Sequence, residues 1–547
     1  MRIGIDVGGT NTDAVLLDGR RVRAWRKTPT TTDIGSGIIS VIREILAQSQ
    51  VSADEIDAVM IGTTHFTNAF VERRHLLPVG VIRIALPATR GLPPFVDWPD
   101  DIREAMGGHV FMVRGGYQYD GRINSPLDEL AVAEAAREFK RRGLTTVAVS
   151  GLFSPVNSAM EERAEEIIRD IAPEMRVTLS SRIGRLSLLE RENAAIMNAS
   201  LADLSTRVVT SFRDALEDLK ITAPFFISQN DGTLMSADFV ERYPVLTFAS
   251  GPTNSMRGAA YLSGIEDAIV ADIGGTTTDI GVLVNGFPRE SSVTVDIGGV
   301  RTNFRMPDVL ALGLGGGSLV GGNGTRIGPR SVGYRIRENA LVFGGHVLTA
   351  TDIAVAAGYA DVGERGRVAH LSPRLVETAA ATIHRMVEEG VDRMKTSAAE
   401  MPLILVGGGA ILLSRPIAGT SKVIVPEFAT VANAIGAAIA QAGGEVDRVY
   451  HYARMGRDEA IADARARAIA AGADPATVAI LDFEEIPLAY VPGDAVRIRA
   501  KAAGDLAELK NTAQDGNNTD LAGAPAERAP GGGAPRSNAQ TYNCGRR

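Results

Sequence analysis

A repeat constrains this chain more than any other feature. Residues 3–13 read IGIDVGGTNTD and residues 269–279 read IVADIGGTTTD, so Asp6 answers to Asp272 and Asp13 to Asp279 at one constant offset. After each copy the sequence turns apolar again, as AVLLDG and IGVLVNG. Each copy therefore reads as a strand, a glycine-rich turn and a second strand, with a hairpin turn after it at Asp18-Gly19 or Asn285-Gly286. Dinucleotide and P-loop layouts differ, because there the glycine-rich turn enters a helix. Two strand–turn–strand copies predict two similar α/β lobes facing each other, with both turns lining the cleft between them.

A tight hairpin alone explains one copy. It gives no reason for Asp, Gly, Gly, Thr and Asp to recur at matching register. A polyphosphate does give one, because it needs backbone N–H groups that approach closely, and glycine permits that approach. The first turn offers Gly8, Gly9, Thr10, Asn11 and Thr12; the second offers Gly274, Gly275, Thr276 and Thr277. Asp6 and Asp272 would repel phosphate. Two such carboxylates beside a triphosphate imply a divalent cation between them, Mg²⁺ held largely through water. Asp13 and Asp279 close each copy and are the next candidates for cation binding or general-base work. A third cluster, Gly407-Gly408-Gly409, follows a buried apolar run and suits close packing against an adenine or ribose. Alone it fits a strand-to-helix turn equally well; its place after the second phosphate loop adds weight.

The chain has 547 residues, too many for one core, and about two to four domains are expected. Hydrophobic residues make up 45% and charged residues 22%, a globular composition. The single cysteine, Cys544, excludes a disulfide framework and a cysteine-ligated zinc or iron–sulfur site, and it fits a reducing cytoplasm. The net charge of −8 comes from interspersed residues, with no basic stripe for nucleic acid and no run of about 18 apolar residues for a membrane span. Met1 to Asp6 reads directly as a strand, without a signal-peptide pattern. A soluble cytoplasmic protein is expected.

Helices are expected over Ile34 to Gln48, Leu127 to Arg142, Ala159 to Ile171, Glu190 to Leu219 and Val431 to Ala442, and buried strands over Ile56 to Gly62, Thr145 to Leu152 and Pro402 to Gly407. Ile486 to Lys501 alternates like a hairpin around Pro492-Gly493, and from about Gly504 the composition reads as a disordered tail. GTTHFTNA, residues 62–69, reads as a turn after a buried strand. It holds Thr63, Thr64, His65 and Asn68, side chains able to hydrogen-bond a small polar ligand, and no carboxylate for a cation.

Taken together, these segments resemble the hydantoinase A/oxoprolinase family of the actin/sugar-kinase/heat-shock-protein ATPase superfamily. Gly62-Thr63-Thr64-His65 with Asn68-Ala69 resembles its GTT-x-x-TNA element, and Ser250-Gly251-Pro252 its SGP element. DVLALGLGGGS, from Asp308 through Gly315 and Gly316 to Ser318, is similar to its D-x-H-T-x-G-x-GGGS element. Gly328-Pro329 with Ser331 and Gly333, Thr349 with Thr351-Asp352, and Ile486 to Tyr490 match further elements, so the resemblance spans roughly Met1 to Ala502.

The resemblance implies an α/β fold of two ribonuclease-H-like (actin-like ATPase) domains flanking a nucleotide cleft, with a small β-rich C-terminal segment. The expected division is 1–185, 186–445 with the second phosphate loop and the adenosine loop, a β segment 446–503, and a tail 504–547. It implies an ATP-dependent enzyme that phosphorylates the carbonyl of a cyclic amide for hydrolysis, with Thr63, Thr64, His65, Asn68, Asp308, Gly315 and Gly316 on the substrate side. It also implies a separate B-type or other hydrolase subunit, and allows a homo-oligomer. Leu310 stands where the family has a histidine and Ala311 where it has a threonine. If that histidine touches substrate in relatives, substrate or chemistry differs here. Two other classes stay open: a small-molecule kinase of the same fold, and a non-enzymatic ATPase such as a chaperone or reactivase.

Overall fold

The structure, a computed structural model, describes residues 1–507 apart from 10, 31–33, 292–293, 452–455 and 489–494. Thr10, the Pro492-Gly493 turn and the chain beyond 507 lie outside the described residues. The first repeat forms β1 (Arg2–Val7) and β2 (Asn11–Asp18) as an antiparallel pair, and Gly19, at φ +57°, turns the chain into β3 (Arg21–Pro29). β4 (Ala58–Thr63) runs parallel to β1, and all its residues are buried, as expected of a central strand covered on both faces. Next come β5 (Gly80–Leu86), β6 (His109–Arg114), β7 (Thr146–Gly151) and β8 (Arg176–Leu179), a separate parallel sheet in the order β6-β5-β7-β8. β9 (Phe225–Ser228) and β10 (Thr233–Ser236) return to the first sheet beside β4.

The second repeat builds the other lobe. β11 (Ala268–Ile273) and β12 (Thr278–Val284) pair antiparallel, and Asn285 and Gly286, both at positive φ, turn the chain into β13 (Phe287–Pro288). A hairpin of β14 (Val295–Ile297) and β15 (Val300–Thr302) follows; then β16 (Val309–Leu312) returns to pair with β12. β17 (Ser318–Gly321) and β18 (Arg326–Ser331) form a further hairpin. β19 (Met401–Val406) lies parallel to β11 and is followed by β20 (Thr420–Ile424). The lobes thus share one plan: an Asp-bearing hairpin with a parallel strand on the outer edge of its first strand.

The chain then re-enters the first lobe. β21 (Gln441–His451) pairs with β10, and β22 (Ala479–Pro487) and β23 (Ala495–Gly504) complete a nine-stranded sheet. The C-terminal β segment is therefore an extension of the first sheet. Order also continues past the point where the tail was expected: β23 runs through Gly504, and Leu506 bridges to Ala473.

Two helices, Ser250–Ser263 and Ala432–Ala438, cross between the lobes at backbone contact. A Cβ on Gly258 would sit 1.9 Å from the Ala432 carbonyl oxygen, and one on Gly436 1.8 Å from that of Asn254. Only glycine allows this approach. The expected helix Val431 to Ala442 is shorter, because the chain must leave it at Ala438 to enter β21. The expected helix Glu190 to Leu219 is two, Leu188–Ser200 and Ala202–Asp218, broken at Leu201. Ser200 and Ser205 hydroxyls bond the carbonyls of Met197 and Ala202 around the break, the side-chain competition that bends helices. Among the described residues no helix is long and apolar enough to cross a membrane.

Candidate functional site

The two repeats close in the same way. Asp6 faces Asp13 across β1 and β2, and the Gly8 N–H donates to the Asn11 carbonyl at 3.0 Å. Asp272 faces Asp279 across β11 and β12, and the Gly274 N–H donates to the Thr277 carbonyl at 2.9 Å. Both turns line one cavity of about 340 Å³, with Gly8, Gly9 and Asn11 on one wall and Gly274, Gly275, Thr276 and Thr277 on the other. Gly407, Gly408 and Gly409 complete it, joined by Asp6, Asp13, Asp272 and Gly316. Asp279 and Thr12 do not line it; the Thr12 hydroxyl faces that of Thr30 at 3.4 Å.

The electrostatics of this cavity are acidic. Asp6 is only 4% exposed, its Oδ1 has no hydrogen-bond partner and its Oδ2 accepts from Asn433 Nδ2 at 2.9 Å. The same amide donates to Asp13 Oδ2 at 2.9 Å, and Lys27 Nζ donates to that oxygen at 2.7 Å. Asp272 accepts from the Ser255 hydroxyl. Burial, then the Asp13 charge, pushes Asp6 up to about 7; burial, then Asp272, does the same to Asp279; burial also raises Asp272. Lys27 is the one basic side chain among the lining residues, against three carboxylates. An orphaned carboxylate oxygen and surplus negative charge fit a bound cation. Among the described residues no three acids, histidines or cysteines are grouped closely enough to hold a metal alone. Asp6 and Asp272 would therefore hold it together with water and ligand oxygens.

The third glycine cluster folds onto the second turn. Gly407 has φ +82°, and a Cβ there would lie 2.3 Å from Asp272 Oδ1. From the opposite side the GGGS segment joins the same turn: Gly316 and Gly317 N–H groups donate to the Gly274 and Gly275 carbonyls at 3.0 and 2.8 Å. Gly315 packs so closely that a Cβ would reach 2.5 Å from the Thr276 nitrogen. Asp308 lies apart, its carboxylate taken by Arg289 at 2.6 Å. Leu310 is partly buried against the core of the second lobe, whereas Ala311 is exposed directly across from Asp279.

GTTHFTNA occupies in the first lobe the place that the glycine cluster takes in the second. Gly62 pairs in register with Asp6, as Val406 does with Asp272. The expected turn is instead the start of a helix, His65–Val71, because the strand ends at Thr63 and the Thr64 carbonyl accepts the first helical bond, from the Asn68 N–H at 2.9 Å. Thr63 is buried, with its hydroxyl 2.8 Å from His65 Nδ1, and burial pushes His65 down to about 4, so the ring is neutral at physiological pH. Asn68 Nδ2 donates to the Thr64 hydroxyl at 3.3 Å and lies beside Gly9. Ser250 of the SGP element donates to the Thr63 carbonyl at 3.1 Å. Thr63, Thr64, His65 and Asn68 therefore adjoin the first turn without lining the cavity itself.

Sequence reasoning missed Lys27, Asn433 and Ser255. Lys27 stands directly across from Asp13 on β3, but the register shifts between Leu16 and Leu17, so counting back from the turn would have given a different residue. Nothing in the sequence marks Asn433 or Ser255, which arrive on the two crossing helices.

Comparison with known proteins agrees with this geometry. Models of the hydantoinase/oxoprolinase N-terminal region and of hydantoinase/oxoprolinase match residues 2–172 and 191–364. The chain is 30% identical over 397 residues to the acetophenone carboxylase gamma subunit of Aromatoleum aromaticum, covering 65% of this chain and 53% of that one. It is 27% identical over 396 residues to the caprolactamase subunit alpha of Pseudomonas jessenii, covering 65% and 54%. It thus spans about half the length of these relatives. The crystal structure of the ATP-dependent caprolactamase from Pseudomonas jessenii superposes with a TM-score of 0.72 at 21% identity, over 95% of this chain and 89% of that one. The fold is the two-lobed actin-like ATPase fold, and the chain belongs to the hydantoinase/oxoprolinase family.

Proposed function

We propose that this chain is the ATP-binding subunit of an enzyme that opens a cyclic amide, and that it phosphorylates the amide carbonyl oxygen. The observation that carries this reading is the single cavity on which both Asp-Gly-Gly turns and the Gly407–Gly409 cluster converge, with a polar loop beside it. The turn amides receive the phosphates, and Gly407 to Gly409 pack against the adenosine. Mg²⁺, when bound between Asp6 and Asp272, supplies charge neutralisation for the transferring phosphoryl group. Lys27 adds a positive charge on the same side.

An unstrained amide is a poor electrophile. Its carbonyl oxygen attacks the γ-phosphorus, the bond to the β-phosphate oxygen breaks and ADP leaves. The product carries phosphate on the former carbonyl oxygen, which makes that carbon open to water. Positioning supplies most of the acceleration. Thr63, Thr64, His65 and Asn68 orient the ring beside Gly9. The neutral His65 serves as a hydrogen-bonding group. Asp13 and Asp279 are the candidates for a general base. Hydrolysis of the activated amide falls to a separate B-type or other hydrolase subunit; both named relatives are subunits of larger enzymes. The lone cysteine supports a cytoplasmic address.

A second reading rests on the acetophenone carboxylase gamma subunit, the more identical of the two relatives reported. There the acceptor oxygen would belong to a ketone, and the phosphorylated species would go on to carboxylation. The test is ADP release by the purified chain with its co-purifying subunit. Stimulation by lactams and hydantoins supports the first reading, stimulation by ketones with bicarbonate the second. Stable phosphorylated product would indicate a kinase, and turnover indifferent to all these would sink both readings.

A further inference from the structure

A second cavity, of about 770 Å³, shares no lining residue with the cleft between the repeats. It lies at the carboxyl ends of β7 and β8, under the loop Ser154–Ser158 and the segment after Leu179, and β21 closes its far side. Ligands in open parallel sheets settle at such strand ends. The walls carry buried polar atoms with no partner. Ser154 and Tyr450 are each 2% exposed, and neither hydroxyl makes a hydrogen bond. Among the described residues Ser181 Oγ is also unpartnered, and Arg185 Nε makes no hydrogen bond, with only the Asp447 carboxylate at 3.8 Å. Native interiors rarely leave so many polar atoms unpaired around one space, since each stranded group has given up its hydrogen bonds to water.

The charge around the cavity is positive and unevenly compensated. Asp447 holds Arg497 with two bonds of 2.7 Å, Glu290 holds Arg185 at 3.1 Å and Glu165 holds Arg182 at 3.2 Å. At the Tyr450 end the cover is thin. Among the described residues Arg448 has only Asp463, at 3.9 Å, and its side chain is 51% exposed; Arg467 gives one N–H to the Glu445 carbonyl. Burial raises the Tyr450 hydroxyl above its ordinary range; the charges of Arg448 and Arg467 act the other way, and those of Asp463 and Glu459 add to the rise. Two aromatic rings also line it: Phe239 and Tyr243 pack with ring centres 4.8 Å apart and planes tilted by 52°.

We propose that this cavity is a second ligand site, for a small organic carboxylate with an apolar body. Arg448, Arg467 and the Tyr450 hydroxyl take the carboxylate, a planar oxyanion suited to guanidinium donors. Ser154 and Ser181 offer hydroxyls to polar groups farther along the ligand, and its apolar part rests on the Phe239–Tyr243 pair.

The test is calorimetric titration of the full chain with phenylacetate and with its neutral isostere phenylacetamide. Phenylacetate should bind one per chain in the millimolar range or tighter, and phenylacetamide at least about tenfold more weakly, the loss of one charge-assisted bond. Arg448 and Arg467 are exposed, so the double variant Arg448→Gln/Arg467→Gln should keep the wild-type melting temperature while binding phenylacetate at least about tenfold more weakly. Tyr450→Phe should weaken it severalfold. Absence of phenylacetate binding, equal binding of acid and amide, or wild-type affinity in the double variant would each overturn the assignment. None of these readouts depends on ATP, so their failure is separable from failure of the proposed activity.

Discussion

In the first lobe Asp6 shares the Asn433 amide with Asp13, and the strand beside it ends in Thr63, Thr64 and His65. In the second, Asp272 takes the Ser255 hydroxyl, and the strand beside it ends in Gly407, Gly408 and Gly409. The hairpins match in register and in the hydrogen bond that closes the turn. What differs is the loop on the neighbouring parallel strand. Three glycines let backbone close onto Asp272 and leave a smooth wall. Threonine, histidine and asparagine at the equivalent place project donors and acceptors instead. On the proposed reading, one hairpin plan serves as an anion cradle in both lobes, and the adjoining loop decides which part of a ternary complex each lobe holds.

The comparison breaks first if the hairpins are unequal. Asp6→Ala and Asp272→Ala should each lower ATP turnover by about 10²–10³-fold with unchanged circular dichroism, the scale expected when one organising group of a phosphoryl-transfer site is lost. Near-normal turnover in either variant would remove that loop from the site.

A second difference should follow from the glycine cluster. Gly407→Ala adds a Cβ 2.3 Å from Asp272 Oδ1 at φ +82°, a strain on the order of 1–3 kcal/mol. ATP affinity should fall by about tenfold or more, whereas Thr63→Ala, at the matching place in the other lobe, should leave it unchanged. Equal effects on calorimetric ATP binding would erase the distinction between the two loops.

Smaller still is the effect expected for the polar loop. His65→Ala and Asn68→Ala should keep ATP affinity and lose about threefold to tenfold in substrate-stimulated turnover, the worth of one hydrogen bond to a neutral group. Weakening of ATP binding by about tenfold, with the fold intact, would move this loop to the nucleotide side.

The smallest effect concerns pH. Burial holds His65 near 4, below its ordinary 6.5, so the unfolded chain binds a proton more readily between those values. The neutral ring therefore contributes stability above about pH 6.5 that is lost as pH falls toward 4. Because the residue is partly exposed, the loss should be on the order of 1–2 kcal/mol. His65→Gln should remove that part of the acid sensitivity in denaturant titrations at pH 7 and pH 4.5. An unchanged pH slope would show that His65 is not the buried neutral group described here.

Much of the architecture was legible because it rests on local pattern. The helix Ala159–Ile171 begins and ends where its apolar spacing puts it, and the Asn285-Gly286 turn occurs where a two-residue hairpin demands positive φ; the first hairpin turns one residue later than expected, at Gly19-Arg20, with Asp18 paired to Arg21. The break at Leu201 and the early end of the 432–438 helix were not legible, since both depend on what the next segment packs against. GTTHFTNA shows the limit well: its side chains were read from the sequence, but its helical start follows from Thr63 closing a fully buried strand.

By itself the sequence determined that two Asp-Gly-Gly hairpins exist, that each has a strand on either side of its turn, and that their shared residues suit a phosphate. Those properties follow from residue order, because glycine conformational freedom and strand alternation act over a few neighbours. Only the tertiary structure decided that the two turns face one cavity with Gly407 to Gly409, and that Asn433 reaches both Asp6 and Asp13. It alone carried the C-terminal strands back onto the first sheet. These contacts join residues hundreds of positions apart, and their geometry is set by helices 250–263 and 432–438 closing to backbone contact at Gly258 and Gly436. No local pattern encodes that approach, which emerges only when both lobes have folded against the same pair of helices.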